Sequence, residues 1–461
     1  MSDSNNLPSS FRDPQGFLFR RGTILYRQIN QAGKENYDTL LKSGLYKELV
    51  DARLMISHQE VDEEPHDPSL AYKVIKPKVV EFISYPYEWC FSQLKDAALT
   101  TLQIQKKALD YNMVLQDASA YNIQFVDGKP MLIDTLSLQT YEEGKPWVAY
   151  RQFCQHFLNP LTLMAFTDIR LVQLLKVYLD GIPLDLAVRL LPVNTRLRLP
   201  LYIHIYLHAK SQSRYAGKSF DKDKIKPKMS KMQLLGLVAS LESAVRKLSW
   251  SGSNTDWANY YAEEHNYTPA AMDQKIQIIS EFLDRVTIDN LWDLGANTGE
   301  FSRMATKRKI PTIAFDIDPG AVERNYLISK DTDEAHMLPL VMDLTNPSPA
   351  IGWQNQERLS FMQRQHPDLV LALALVHHFV ISNNVPLIKL AEFFSHLSRW
   401  LIIEFVPKTD SQVQRMLSTR KDIFLDYSSQ AFASSFNQFF QIHEKKEIFE
   451  SDREIYLMER K

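Results

Sequence analysis

The stretch "LWDLGANTGEFSRMA" (residues 291–305) places Asp293 shortly before Gly295, with a second glycine, Gly299, one helical turn further on. An apolar run at 290–294 ends at this aspartate and a helical pattern covers 299–309, so the glycines lie in a strand-to-helix loop. Glycine in such a loop adopts left-handed dihedrals and lets a ligand approach the backbone. A dinucleotide fingerprint requires G-x-G-x-x-G. Counted from Gly295, its second and third glycine positions hold Asn297 and Glu300. A carboxylate at the helix start also competes with a pyrophosphate for the same amides. The pattern present is instead acidic–x–Gly–x–x–x–Gly.

That pattern suits S-adenosylmethionine, which carries a sulfonium and an amino-acid zwitterion and no phosphate. Asp293 can pair with the ligand's ammonium, while Gly295, Asn297 and Gly299 admit its methionine part. The next strand, "PTIAFDID", ends in Asp316, placed to take both ribose hydroxyls, with Ile317 available to pack on the adenine. A third strand, "LPLVMDL", ends in Asp343, placed to accept from the adenine amino group. Carboxylates ending three successive strands fit ligand binding outside the strand C-termini of an open α/β sheet. Aspartates at strand ends also cap helices. Asp318 is read as the cap of a helix at 320–329, and an ordinary turn is the alternative for Asp343.

Acceptor chemistry points to "VHHF" after the fourth strand, "DLVLALAL", where His377 and His378 are candidate bases. Neighbours on a helix point about 100° apart, so one ring is expected to face the site, with His378 preferred. Glu404, inside the apolar strand "WLIIEFV", needs a polar partner. It can orient the acceptor or a histidine, or form a structural ion pair. The segment 256–268, "DWANYYAEEHNYT", suits a lid in which Tyr260 or Tyr261 meets the sulfonium, or else a packing helix.

These residues need a scaffold. A chain of 461 residues suggests two or three domains. A net charge of −2 excludes a protein held to nucleic acid mainly by bulk positive charge. Two cysteines, Cys90 and Cys154, exclude a disulfide framework or a cysteine-rich zinc site. No signal core and no membrane-length apolar run are visible, so a cytoplasmic protein is expected. Residues 1–16 read as an arm and 17–207 as an α+β domain. A hairpin is expected around Arg21-Gly22, helical spacing covers 36–54, and a strand over 72–84 and a long helix over 88–112 are expected. A second hairpin turns at Asp127-Gly128, and 147–208 is helical, interrupted by Pro160, Pro183, Pro192 and Pro200. Residues 208–231 carry eight Lys/Arg and read as a basic linker, with a nucleic-acid or membrane contact as the alternative. Residues 232–461 form an α/β, doubly wound domain.

Residues 290–404 resemble class I S-adenosylmethionine-dependent methyltransferases through "DLGANTG", "AFDID", "VMDL" and "LALVHHF". Across nearly the whole chain, "ASAYNIQF", "WVAYRQFCQHFLNPL", "NNVPL" and "IEFVPKTDSQVQRML" resemble the methyltransferases related to the nodulation protein NoeA. The resemblance implies a Rossmann-like sheet, S-adenosylmethionine as cofactor and a bacterial cytosolic setting. It leaves open the acceptor, an O or N atom of a small molecule, with a saccharide suggested by analogy alone.

The N-terminal half resembles protein kinases and small-molecule phosphotransferases in "LQDASAYNIQFVDGKPMLIDTL". The resemblance implies Asp117 as base, Asn122 and Asp134 as magnesium ligands, and Mg-ATP as cosubstrate. Gln116 stands where a histidine is usual and Thr135-Leu136 where Phe-Gly is usual; there is no glycine-rich phosphate loop, and Lys73 is the best strand lysine. These departures point to a degenerate kinase-like domain that binds rather than phosphorylates. The alternative is an Asx-turn at Asp117 followed by a plain hairpin.

Overall fold

A computed structural model describes residues 4–215, 229–251, 267–418 and 420–461. It divides into two compact units, Met1–Trp250 with Ala350–Arg358, and Ser251–Pro349 with Leu359–Lys461.

The first unit begins with an antiparallel sheet of β1 (Ser4–Asn6), β2 (Gly16–Arg21), β3 (Ile24–Asn30), β4 (His58–Val61) and β5 (Ala71–Pro77), in the order β1-β2-β3-β5-β4. The first hairpin turns at Gly22, whose φ of +56° a side chain would resist. The strand expected over 72–84 stops at Pro77, because its partner begins at His58 and offers no further ladder positions. Helix Phe91–Asp110 buries an apolar stripe that includes Leu94, Ala98 and Leu102. After it come β6 (Met113–Leu115), the hairpin β7 (Ile123–Val126) and β8 (Lys129–Leu132), and β9 (Leu138–Thr140). Asp127 and Gly128 both take positive φ at the hairpin turn.

Two expectations change here. Pro160 does not interrupt its helix: it stands at the start of Asn159–Phe166, directly after a π-type turn, Cys154–Leu158. The proposed linker begins as helix, His208–Tyr215, and the boundary at 231/232 differs from the observed division after Trp250. The reason is helix Lys231–Arg246, which buries Leu234, Val238 and Leu241 in the first unit. Lys95 Nζ also donates to the Leu248 carbonyl at 2.7 Å. Residues 216–228 of that linker lie outside the described residues.

The second unit holds β10 (Leu291–Leu294), β11 (Thr312–Asp316), β12 (Met337–Val341), β13 (Leu369–Ala372), β14 (Trp400–Phe405), β15 (Phe440–Glu447) and β16 (Glu454–Arg460). Their order is β12-β11-β10-β13-β14-β16-β15. Pairings among the first five are parallel, and β16 runs antiparallel to both of its neighbours. This is the doubly wound sheet that the resemblance implies. The central strands are buried on both faces, as parallel strands covered by helices must be. Strand order reverses between β10 and β13, so the loops after these two strands part and leave a crevice at their C-terminal ends.

Candidate active site

The loop after β10 is pinned to the end of β11. The Gly295 and Ala296 amides both donate to the Phe315 carbonyl, at 2.8 and 2.9 Å. Gly295, Asn297 and Gly299 all have positive φ, of +80°, +49° and +81°. A Cβ on Gly295 would stand 3.1 Å from Leu375 Cδ1, and one on Gly299 would stand 2.5 Å from Asn325 Nδ2. The two glycines therefore serve different ends. Gly295 keeps the crevice open, whereas Gly299 lets the loop close against Asn325.

Asp316 Oδ2 accepts from the Asn297 amide at 2.7 Å, and its Oδ1 from the Asp318 amide at 2.8 Å. Burial raises its carboxyl to about 6 despite these donors. Asp318 caps the helix Pro319–Asp331 through the Gly320 amide, as its position suggested. A cavity of about 320 Å³ opens at this edge, lined by Gly295, Asn297, Asp316, Ile317 and Asp343 on one side. Leu373, Leu375, His377, His378, Asn383 and Gln412 line the other. Ile317 is 58% exposed, an apolar side chain held at the cavity wall with little covering it. Asp343 makes the turn that was its alternative reading, its Oδ1 accepting from the Thr345 amide and hydroxyl at 2.9 and 2.6 Å, and the residue also lines the cavity.

Asp293 and Gly299 do not line this cavity. Asp293 is one residue short of the strand end, and its buried Oδ2 accepts from Ser302 Oγ at 2.6 Å. Burial pushes its carboxyl up to about 7; the Ser302 hydrogen bond opposes the rise and the Asp316 charge adds to it.

Both histidines line the cavity, although one was expected to. Their ring centroids are 4.3 Å apart, and His377 stands just before a π-type turn, His378–Ser382, whose winding departs from α-helical spacing. Burial holds His377 well below its ordinary value and lowers His378 to about 4, so both rings are neutral at pH 7. His377 Nδ1 is buried without a hydrogen-bond partner among the described residues.

Glu404 stands behind the site and not in it. Its Oε2 accepts from Lys275 Nζ at 2.7 Å and from the Ala374 amide at 2.9 Å, and its Oε1 from the Tyr267 hydroxyl. Arg453, itself bonded to Asp410, approaches Oε1 at 3.6 Å. Burial raises the Glu404 carboxyl, but Lys275 and Arg453 outweigh it and hold the group below the usual range. The structural ion pair is therefore the reading that stands, because the buried carboxylate is consumed by cations of the same unit. It acts on the site through Ala374, whose φ of +49° places Leu373 and Leu375 on the cavity wall. Lys275 and Tyr267 were missed in the sequence. Lys275 sits in an amphipathic helix, Pro269–Arg285, where a lysine ordinarily reads as surface. The candidate lid residues Tyr260 and Tyr261 lie outside the described residues.

No protein-family profile matches the chain. The nodulation protein NoeA of Rhizobium meliloti (strain 1021) is 36% identical over 458 residues, covering 98% of this chain and 95% of that protein. The chain belongs to the NoeA family. Among solved structures, the bifunctional kinase-methyltransferase WbdD aligns at a TM-score of 0.30 and 14% identity, over 42% of this chain and 40% of WbdD. The chain thus spans about two-fifths of WbdD's length. Magnesium protoporphyrin IX methyltransferase ChlM from Synechocystis PCC 6803, with bound SAH, gives 0.33 at 14% identity, over 44% of this chain and 92% of ChlM. N-methyltransferase NodS from Bradyrhizobium japonicum WM9 gives 0.32 at 10% identity, over 42% and 97%. Scores this low leave the chemistry of this NoeA-family chain to be read from its own residues.

In the first unit of this NoeA-family chain, the hairpin brings Asp117, Asn122 and Asp134 together. Asp117 Oδ1 accepts from the Ser119 amide at 2.9 Å and Gln152 Nε2 at 2.7 Å, and the Asn122 side chain also bonds it. Burial raises the Asp117 carboxyl, and the charge of Asp134 adds to the rise. The Asx-turn at Asp117 is present, through Ser119. Asp134 accepts from the Leu136 amide and Ser137 Oγ, and the Arg27 guanidinium lies 2.5 Å away. An arginine thus stands where a metal cation was expected. Among the described residues no cluster of His, Cys, Asp or Glu is arranged to hold a metal ion. Lys73 is paired with Glu60 on the neighbouring strand. Mg-ATP therefore finds no support at this site, and Arg27 was not singled out by any local sequence signal.

Proposed function

We propose that this NoeA-family chain transfers a methyl group from S-adenosylmethionine to an oxygen or nitrogen of a small-molecule acceptor, with a saccharide as the first class to screen. The observation that carries the reading is the pairing of Asp316 with the glycine loop at the sheet's switch point. Its carboxylate is fixed by two backbone amides and retains lone pairs for two vicinal hydroxyls. The surrounding residues fit the rest of the cofactor. Ile317 offers an exposed apolar face for a purine. Thr345 occupies Asp343 Oδ1, so Oδ2 is the oxygen offered to an exocyclic amine. Gly295 leaves room beside Leu375 for the chain that follows the ribose.

When bound, the sulfonium supplies an activated methyl carbon, and in-line attack upon it needs positioning more than acid–base help. For a hydroxyl acceptor, the neutral imidazole of His378 can receive the proton as the bond forms. Asp293 supports the glycine loop from behind through Ser302, and Glu404 supports the loop after β13 through Ala374.

A second reading concerns the first unit. The succession of long helix, β6, loop, β7–β8 hairpin and Asp134 favours a kinase-like domain, and Arg27 at Asp134 favours a binding role over phosphoryl transfer. Thermal unfolding with S-adenosylhomocysteine, and separately with Mg-ATP, tests both readings. A shift with the first ligand that is lost in Asp316→Ala supports methyl transfer, since ligand binding to the native state raises its stability. No shift in folded wild type contradicts it. A shift with Mg-ATP would contradict the arginine-filled reading.

A further inference from the structure

In the first unit, residues 186–220 contain six Lys/Arg and no Asp or Glu. Part of this stretch is anchored from below. His204 Nδ1 is 2.9 Å from the Tyr150 hydroxyl and its Nε2 is 2.9 Å from Ser240 Oγ, and Leu201, Ile205 and Tyr206 are buried. Thr195 Oγ1 lies 2.6 Å from the Tyr206 hydroxyl, and the Arg196 guanidinium stacks over the same ring at 5.1 Å. Residues 193–197 and 202–207 therefore pack as one surface.

What this surface shows to solvent is apolar. Val193 is 73% exposed, Leu197 87% and Leu199 68%, with Leu207 also exposed. Interleaved with them are Arg189, Arg196 and Arg198, all exposed and none with a carboxylate partner among the described residues. Single exposed leucines are ordinary. A run of them on a rigid base, flanked by unpaired arginines, combines the two attractions that hold a protein to an anionic bilayer: apolar insertion at the headgroup boundary and charge attraction to the surface.

We propose that this face docks onto the surface of an anionic phospholipid bilayer. The leucines argue against nucleic acid, whose phosphates would meet the arginines but offer no apolar phase for Leu197 and Leu199. A second copy of the chain fits poorly as well, since an isologous contact sets the patch against itself and brings together two basic surfaces with no carboxylate between them. Insertion is peripheral: no helix among the described residues is long and apolar enough to cross a membrane.

The test is sedimentation of the full chain with vesicles of phosphatidylcholine alone and of phosphatidylcholine with one third phosphatidylglycerol. Wild type pellets with the anionic vesicles, binds less as salt rises, and stays in the supernatant with the neutral ones. Arg196→Glu/Arg198→Glu weakens partitioning by at least about thirty-fold, and Leu197→Ser/Leu199→Ser weakens it at every salt concentration. All four side chains are exposed, and thermal unfolding of each variant before sedimentation checks that losing the Arg196–Tyr206 and Arg198–Phe166 stacking leaves the fold intact. Wild type remaining in the supernatant with anionic vesicles at low salt overturns the proposal, as does pelleting that neither variant changes. A dimer that Leu197→Ser/Leu199→Ser converts to monomer, with no vesicle binding, would replace the bilayer with a second copy.

Discussion

Replacing Lys275 by methionine keeps the length of the side chain and removes the ammonium that lies 2.7 Å from Glu404. Both side chains are almost wholly excluded from solvent, at 1% and 0%. Breaking a buried pair by deleting one partner costs about 3–5 kcal/mol, because the remaining charge is stranded in low dielectric. Arg453 at 3.6 Å from the other carboxylate oxygen retains part of the compensation, which places the expected loss near 3 kcal/mol. That corresponds to about a hundredfold increase in the open population. Native-state hydrogen exchange of peptides covering β13 and β14 reads this directly and reports the second unit by itself. Adding Glu404→Gln to Lys275→Met neutralises the stranded group, leaves an acceptor for the Ala374 amide, and should recover about half of the loss. Less than tenfold faster exchange in the single variant would refute the claim that the pair holds the loop after β13. A double variant no better than the single would assign the cost to packing of the lysine stem.

Three further outcomes are expected. His378→Ala should lower the methyl-transfer rate to a hydroxyl acceptor by about 10²–10⁴-fold while S-adenosylhomocysteine affinity by calorimetry changes little; a rate unchanged on an otherwise competent enzyme rules the ring out as base. Gly299→Ala should destabilise the second unit by more than about 1 kcal/mol in urea unfolding, since the added Cβ meets Asn325 at 2.5 Å and φ is +81°; neutral stability would mean that the loop has another route. The Asp316 carboxyl is raised to about 6 in the ligand-free protein, and ribose hydroxyls select the ionised form. Affinity should therefore be flat above pH 7 and fall as pH drops through 6, reaching about tenfold weaker at pH 5; a flat titration from pH 7.5 to 5 removes Asp316 from the ligand.

The glycine-loop side of the cavity was legible because it is local. Gly295, Asn297 and Asp316 lie at ends of strands whose apolar runs are unmistakable, and the switch-point rule says where those ends converge. Asp293 was misplaced by one step of the strand: periodicity finds the strand but not its last residue, and that step turns a ligand carboxylate into a partner of Ser302. Glu404 shows the other limit. Its need for a partner could be read from its apolar neighbours, but Lys275 and Arg453 are long-range in sequence and Lys275 wears the pattern of a surface residue. The same is true of Arg27, which reaches Asp134 from a separate strand and takes the place that the kinase resemblance gives to a metal ion. The two histidines were found by position, and their shared exposure to the cavity depends on a π-type turn that carries no sequence signature.

The most direct measurement is isothermal titration of S-adenosylmethionine into the folded wild type and into Asp316→Ala at pH 7.5. The reading predicts micromolar-range binding, about −8 kcal/mol, to the wild type and at least about a hundredfold loss in the variant, equivalent to two hydrogen bonds to a charged group. Equal affinity in the two proteins, or no binding to a folded wild type, would contradict it.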